Sequence, residues 1–180
     1  MHKSLLLVWT LCMSFFSLMA QHTTHPLVEN RGQWPSHVSA AADVEGGKVF
    51  LEEDAITYHL FDLAGLNGSH AIDPSQPRMR GHVFRVNFVG AASEKSEALF
   101  DGKQEPYSNY FLGNDPAHWA GHCSHYTHLT HKNLYPGIDW VTHGDGGFLK
   151  YDFIVHAGAD AHLIRMRYQG QEKLAIENDR

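Results

Sequence analysis

The sequence predicts an all-β fold, an antiparallel β-sandwich or open barrel carrying one short helix. Three observations predict it. Apolar and polar residues alternate with a period of two in several short runs. Gly, Pro, Asn and Asp cluster between those runs, where strands must turn. After the first twenty residues, no run repeats its apolar positions at the three-to-four-residue spacing of an amphipathic helix.

The first element stands outside that fold. Residues 1–20, MHKSLLLVWTLCMSFFSLMA, start basic at His2 and Lys3, run apolar from Leu5 to Phe16 and end at Ala20. This is the layout of a secretory signal peptide, with cleavage expected between Ala20 and Gln21. The apolar run is shorter than the roughly 20 residues that span a bilayer. A secreted or outer-surface location follows, with no membrane insertion once the signal is removed. Residues 21–180 suit a single β-rich domain, long enough to bury a core without disulfide staples. Cys123 loses its only partner, Cys12, with the signal. The full chain carries a formal charge of −6, which argues against nucleic acid as a partner.

The strands follow in order. KVFLE (48–52) and AITYHL (55–60) pair as a hairpin around Glu53-Asp54. Residues 62–81, rich in Gly, Pro and Ser, read as a long loop, and Asn67-Gly68-Ser69 reads as a turn ahead of a glycosylation site. HVFRVNFVG (82–90) puts Val83, Arg85, Asn87 and Val89 on one face and Phe84, Val86 and Phe88 on the other. The short helix is expected over residues 115–120, with Asp115 as its cap, Pro116 in its first turn and Gly121 as its stop. IDWVTH (138–143) and FLKYDFIVH (148–156) flank Gly144-Asp145-Gly146-Gly147, a hairpin signal. LIRMRY (163–168) and KLAIE (173–177) close the series around Gln169-Gly170-Gln171.

One stretch raises a chemical question. HWAGHCSHYTHLTHKN, residues 118–133, holds His118, His122, His125, His128 and His131 together with Cys123. A structural zinc site needs four ligands converging on one point. On a helix, His118, His122 and His125 share a face, but Gly121 stops that helix. On a strand, His125 and His131 face one way and His128 the other, and at ~3.3 Å per residue the first two stand about 20 Å apart. One ion does not bridge that distance. The expectation is a histidine-dressed strand without metal or other cofactor. Spacing leaves open whether His118, His122, Cys123 and His125 meet a further histidine brought in by the fold. With 15 histidines in the chain, mild acid is expected to change its surface charge strongly.

Other chemistry is thinner. Asp139, Asp145 and Asp152 sit around one predicted hairpin, yet nothing local sets two carboxyls within the about 5–10 Å that acid–base work needs. Ser108 and Ser124 lie in no Gly-x-Ser-x-Gly elbow, and no phosphate-cradling loop occurs. Trp34, Trp119 and Trp140, with Tyr107, Tyr110 and Tyr126, offer a sugar-stacking surface, although core packing is the commoner fate of aromatics. No catalytic, cofactor-binding or metal residue is assigned, and the chain is not expected to be an enzyme.

Four phrases in order carry a family resemblance: ENRGQWPSHVSAAADVEGGKVFLEEDAITYHL (29–60), NYFLGNDPAHW (109–119), NLYPGIDW (133–140) and FLKYDFIVHAGADAHLIRMRYQG (148–170). Over roughly residues 28–177 the chain resembles the N-terminal domain, of unknown function, of large secreted bacterial proteins carrying seven-bladed β-propeller (SBBP) repeats. Such proteins are similar to Bacteroidota surface proteins that often end in a gliding-motility or type IX sorting module. The resemblance implies a β-rich scaffold with no catalytic residues to carry across. The residues that match, Asn30, Gly32, Gln33, Asn109-Tyr110-Phe111, Tyr135-Pro136-Gly137 and Tyr151-Asp152-Phe153 among them, suit turns and core. His131 and His143 depart from it, standing where that family has aromatics. The resemblance also implies further strands and propeller repeats beyond Arg180, so residues 21–180 are expected to be a domain truncated at its C-terminal end. A non-catalytic structural or adhesive module is therefore expected, with downstream propeller repeats or a surface protein as partner. The rival readings are a carbohydrate-binding module, with a glycan as partner, and a His-rich metal-binding domain.

Overall fold

The computed structural model describes residues 26–61, 81–92, 96–145, 148–171 and 173–175. The expected signal peptide, nearly all of the expected 62–81 loop and the Asn67 triplet lie outside the described residues.

The described chain is built of strands: β1 (Leu27–Glu29), β2 (Val38–Val44), β3 (Gly47–Glu52), β4 (Ala55–Phe61), β5 (Gly81–Phe88), β6 (Glu97–Asp101), β7 (Tyr107–Tyr110), β8 (Ala120–Tyr126), β9 (His128–Tyr135), β10 (Ile138–Asp145), β11 (Phe148–Val155) and β12 (Met166–Gln169). They form an eight-stranded sheet ordered β12-β5-β4-β3-β2-β1-β8-β7 and a four-stranded sheet ordered β11-β10-β9-β6. The strand pairings are antiparallel, for example Leu51 opposite Ile56 and Val141 opposite Asp152. Among the described residues each sheet keeps two open edges, so the architecture is a sandwich and not a closed barrel.

The two sheets share one core because period-two alternation gives each an apolar face. Leu51, Ile56 and Phe88 from the large sheet meet Leu129, Leu134, Ile138 and Trp140 from the small one. Trp140 is fully buried, with the Phe88 ring edge-on at 4.8 Å. The alternation read in residues 82–90 is realised: Val86 and Phe88 are buried, while Val83 is exposed. A smaller cluster of Val28, Ala120 and Cys123 lies under Trp34 and Tyr110. Ala40, Ala41 and Ala42 are all fully buried, although residues 39–43 lack the branched and aromatic residues that announce a strand.

Two turns show how local chemistry sets register. Between β9 and β10 the loop is Pro136-Gly137, and Gly137 adopts φ 71°. Proline followed by a left-handed glycine is the type II turn pattern. At the start of β3, a Cβ on Gly47 would collide with the His59 backbone carbonyl, so only glycine lets β3 and β4 approach.

Several local expectations need correction. The helix expected over 115–120 is a single 3-10 turn, Pro116–His118, capped by the Asp115 side chain as read. It ends at Trp119, before Gly121, because Ala120 already starts β8 and pairs with Tyr110 of β7. Residues 163–168 are not one strand. Asp160 caps a second 3-10 turn, Ala161–Leu163, and only Met166–Gln169 pairs, against β5. Residues 173–175 form no strand, and 176–177 lie outside the described residues. The expected single strand through the histidine run is two strands in different sheets, parted at Thr127. Among the described residues no helix is long and apolar enough to cross a bilayer.

Candidate functional site

The sheet change at Thr127 scatters the histidine run. His118 sits on the 3-10 turn with Nδ1 3.1 Å from Asp115 Oδ2. His122 stacks on Tyr107, with ring centroids 4.5 Å apart. His125 Nε2 meets the Ser108 hydroxyl at 2.8 Å. Cys123 is buried in the small cluster, and burial raises its thiol pKa above the usual value. The structure therefore does not gather His118, His122, Cys123 and His125. Among the described residues no group of three or more His, Cys, Asp or Glu is placed to hold an ion.

His131 has a different fate. It turns inward from β9, is 1 % exposed and lies flat on Trp140 at 4.5 Å. Its Nε2 meets the Ser39 hydroxyl at 3.0 Å. Burial pushes its pKa down from 6.5 to about 4, so it is neutral at pH 7. The imidazole thus packs against Trp140 as an aromatic ring would.

Of the three aspartates, Asp139 is buried and structural. The β9–β10 ladder is irregular here, and Asn133 adopts φ 51°. Asp139 fills the gap: it accepts from the Asn133 amide at 2.9 Å, from Lys132 Nζ at 2.6 Å and from His156 Nε2 at 2.9 Å. Burial alone would raise its pKa, but these donors outweigh burial and lower it from 3.8 to about 2. A depressed acid contributes stability in full above its unfolded pKa and loses it as pH falls toward 2. Asp139→Asn is expected to lower stability at pH 7 by about 2 kcal/mol. It should also flatten the stability profile between pH 4 and 2, which urea unfolding at stepped pH measures. A second buried carboxylate, Glu52, accepts from Thr57 Oγ1 at 2.5 Å and pairs with Arg85, tying β3, β4 and β5.

An open cleft of about 270 Å³ lies beside the β7 edge of the large sheet. Arg31 and Ser124 line it, as do Lys103, Gln104, Glu105 and Pro106 before β7, and Tyr107 with His122. His122 is in the left-handed region at φ 56°, which a residue with a Cβ adopts only when its surroundings hold it there. Three contacts do so. Its amide donates to Asn109 Oδ1 at 2.9 Å, its carbonyl accepts from Arg31 at 3.3 Å, and its ring stacks on Tyr107. Tyr107 is 53 % exposed, and Phe111, Leu112 and Trp119 are exposed near the same edge. The cleft thus offers an aromatic face, two cations, a carboxylate and an amide to a polar ligand.

Of the aromatics read as a possible stacking surface, Trp140 is core and Trp34 packs between Phe50 and Tyr110. Of those six aromatics, Tyr107 and Trp119 are the ones exposed at this edge, beside Phe111. Sequence reasoning passed over Arg31 and the 103–106 segment, because β1, β7 and β8 bring them together from distant positions. The left-handed His122 left no sequence signal.

Residues 27–180 match a domain family of unknown function, DUF7948, and the chain belongs to that family. No curated relative and no solved structure matches the chain.

Proposed function

We propose, with that family membership as the premise, that the chain is a non-catalytic structural or adhesive module of a larger secreted or cell-surface protein. It packs against downstream β-propeller repeats or presents a surface to a partner protein. The observation that carries this reading is the exposed aromatic edge. Tyr107, Phe111, Leu112 and Trp119 are large apolar side chains left in solvent around an edge strand, and edges of this kind are managed by pairing or covering. The signal-peptide layout and the ordered motifs of the SBBP-associated resemblance support the same reading.

A carbohydrate-binding module is the second reading, favoured by the Tyr107–His122 stack inside a cleft that also carries Arg31, Lys103 and Gln104. Aromatic faces bind the C–H surface of sugars, while charged and amide groups orient the hydroxyls. One experiment separates the two. The purified chain and its Tyr107→Ala variant are applied to a glycan array and to intact cells from which a bound partner is crosslinked. Glycan binding that drops about tenfold in the variant, with the fold intact by circular dichroism, establishes the second reading. Capture of one surface protein with no glycan signal supports the first. Absence of both, with the edge still exposed in solution, sinks the adhesive role.

A further inference from the structure

The outer face of the small sheet brings together a pair of histidines that lie fifteen positions apart in the sequence. His128 on β9 and His143 on β10 stand directly opposite each other, and their rings stack at 5.7 Å with 17° between planes. Each ring has one nitrogen engaged by an oxygen. His143 Nε2 is 3.0 Å from Asp152 Oδ2, and His128 Nδ1 is 2.8 Å from the Thr127 hydroxyl. The other nitrogen of each ring has no hydrogen-bond partner among the described residues. An oxygen on the second ring nitrogen is one feature of metal-ligating histidines, and Asp152 supplies it to His143.

We propose that His128 and His143 form a two-histidine site for a borderline divalent transition-metal ion of the zinc or nickel class. Side chains directly opposite on antiparallel strands start about 4.5–5.5 Å apart at Cβ, from which two imidazoles reach one ion with metal–nitrogen bonds of about 2.0–2.1 Å. The nearly parallel rings do not yet share a plane with such an ion. His128 is exposed, so its ring can give up the Thr127 hydroxyl to water and turn about χ2 to aim a nitrogen at the ion. Water fills the remaining positions, which makes the site open. Nitrogen donors select against calcium and magnesium, which take oxygen ligands. Asp152 acts as the positioning residue for His143. Two further charges face the pair along the same row: Asp101 opposite His128, which favours a cation, and Lys150 opposite His143, which opposes it from a flexible stem.

The test is calorimetric titration of the purified chain with zinc chloride and, separately, nickel chloride. The expected result is one ion bound at this site, with affinity lowered at least about tenfold in His128→Ala and in His143→Ala. Asp152→Asn is expected to weaken binding several-fold without abolishing it. The variant H118A, which removes an exposed histidine elsewhere in the run, is expected to bind as the unaltered chain does. The substituted side chains lie on the outer sheet face or on the 3-10 turn, so circular dichroism should show an unchanged fold. The proposal is overturned if the unaltered chain takes up neither ion, if H128A and H143A bind as tightly as it does, or if H118A loses the ion.

Discussion

Trp140→Ala is expected to destabilise the chain by about 3–5 kcal/mol, the range for removing a fully buried large aromatic. Domains of this size hold about 5–15 kcal/mol in all, so the variant should unfold at a much lower urea concentration. The reason lies in where the ring sits. Trp140 is 0 % exposed and fills the space between the sheets, in contact with Phe88 from one side and His131 from its own sheet. Its indole nitrogen is buried without a hydrogen-bond partner. Trp140→Phe therefore removes volume and an unsatisfied donor together, and should cost less than half as much as alanine. A shift below about 1 kcal/mol for Trp140→Ala would mean that the two sheets do not share a core around this ring.

The second large effect is acid sensitivity through His131. A histidine whose pKa is lower in the folded than in the unfolded chain binds fewer protons when folded, so stability rises with pH between the two values. With 6.5 unfolded and about 4 folded, the neutral imidazole is fully tolerated above pH 6.5. Stability is then lost progressively down to pH 4, by about 3 kcal/mol in all. His131→Phe keeps a flat ring against Trp140 and removes the titration. It also removes the bond to Ser39 Oγ and the unpartnered Nδ1. The expected outcome is a variant whose urea midpoint is nearly flat from pH 6.5 to 4.5, while the unaltered chain falls steeply. Equal slopes would place the acid-sensitive group elsewhere. Asp139 acts in a separate window, below pH 4, so the two contributions are distinguishable on one profile.

These two residues also show how far the sequence could be read. That Trp140 lies in a strand was legible, because IDWVTH alternates and a glycine-rich turn follows. The sequence read His131 as one face of a polar strand, and the reading failed for a specific reason. It assumed one continuous strand through residues 125–131, whereas Thr127 is a corner between two sheets. A corner of that kind is decided by which partners each half pairs with: β8 against β1, and β9 against β10 and β6. None of those pairings is written into the local period.

Local sequence was enough to specify the all-β class, the hairpins around residues 48–60 and 138–155, the inward and outward faces of residues 82–88, and the Asp115 cap. Each rests on interactions within a few residues: alternation, turn glycines, or a side chain reaching its own backbone. Tertiary structure alone decided the order of the strands across two sheets and the burial of His131. It alone set the Asp139 knot, the cleft around left-handed His122 and the meeting of His128 with His143. Those depend on contacts between segments far apart in the chain, and a period-two pattern specifies a face to bury without specifying what covers it.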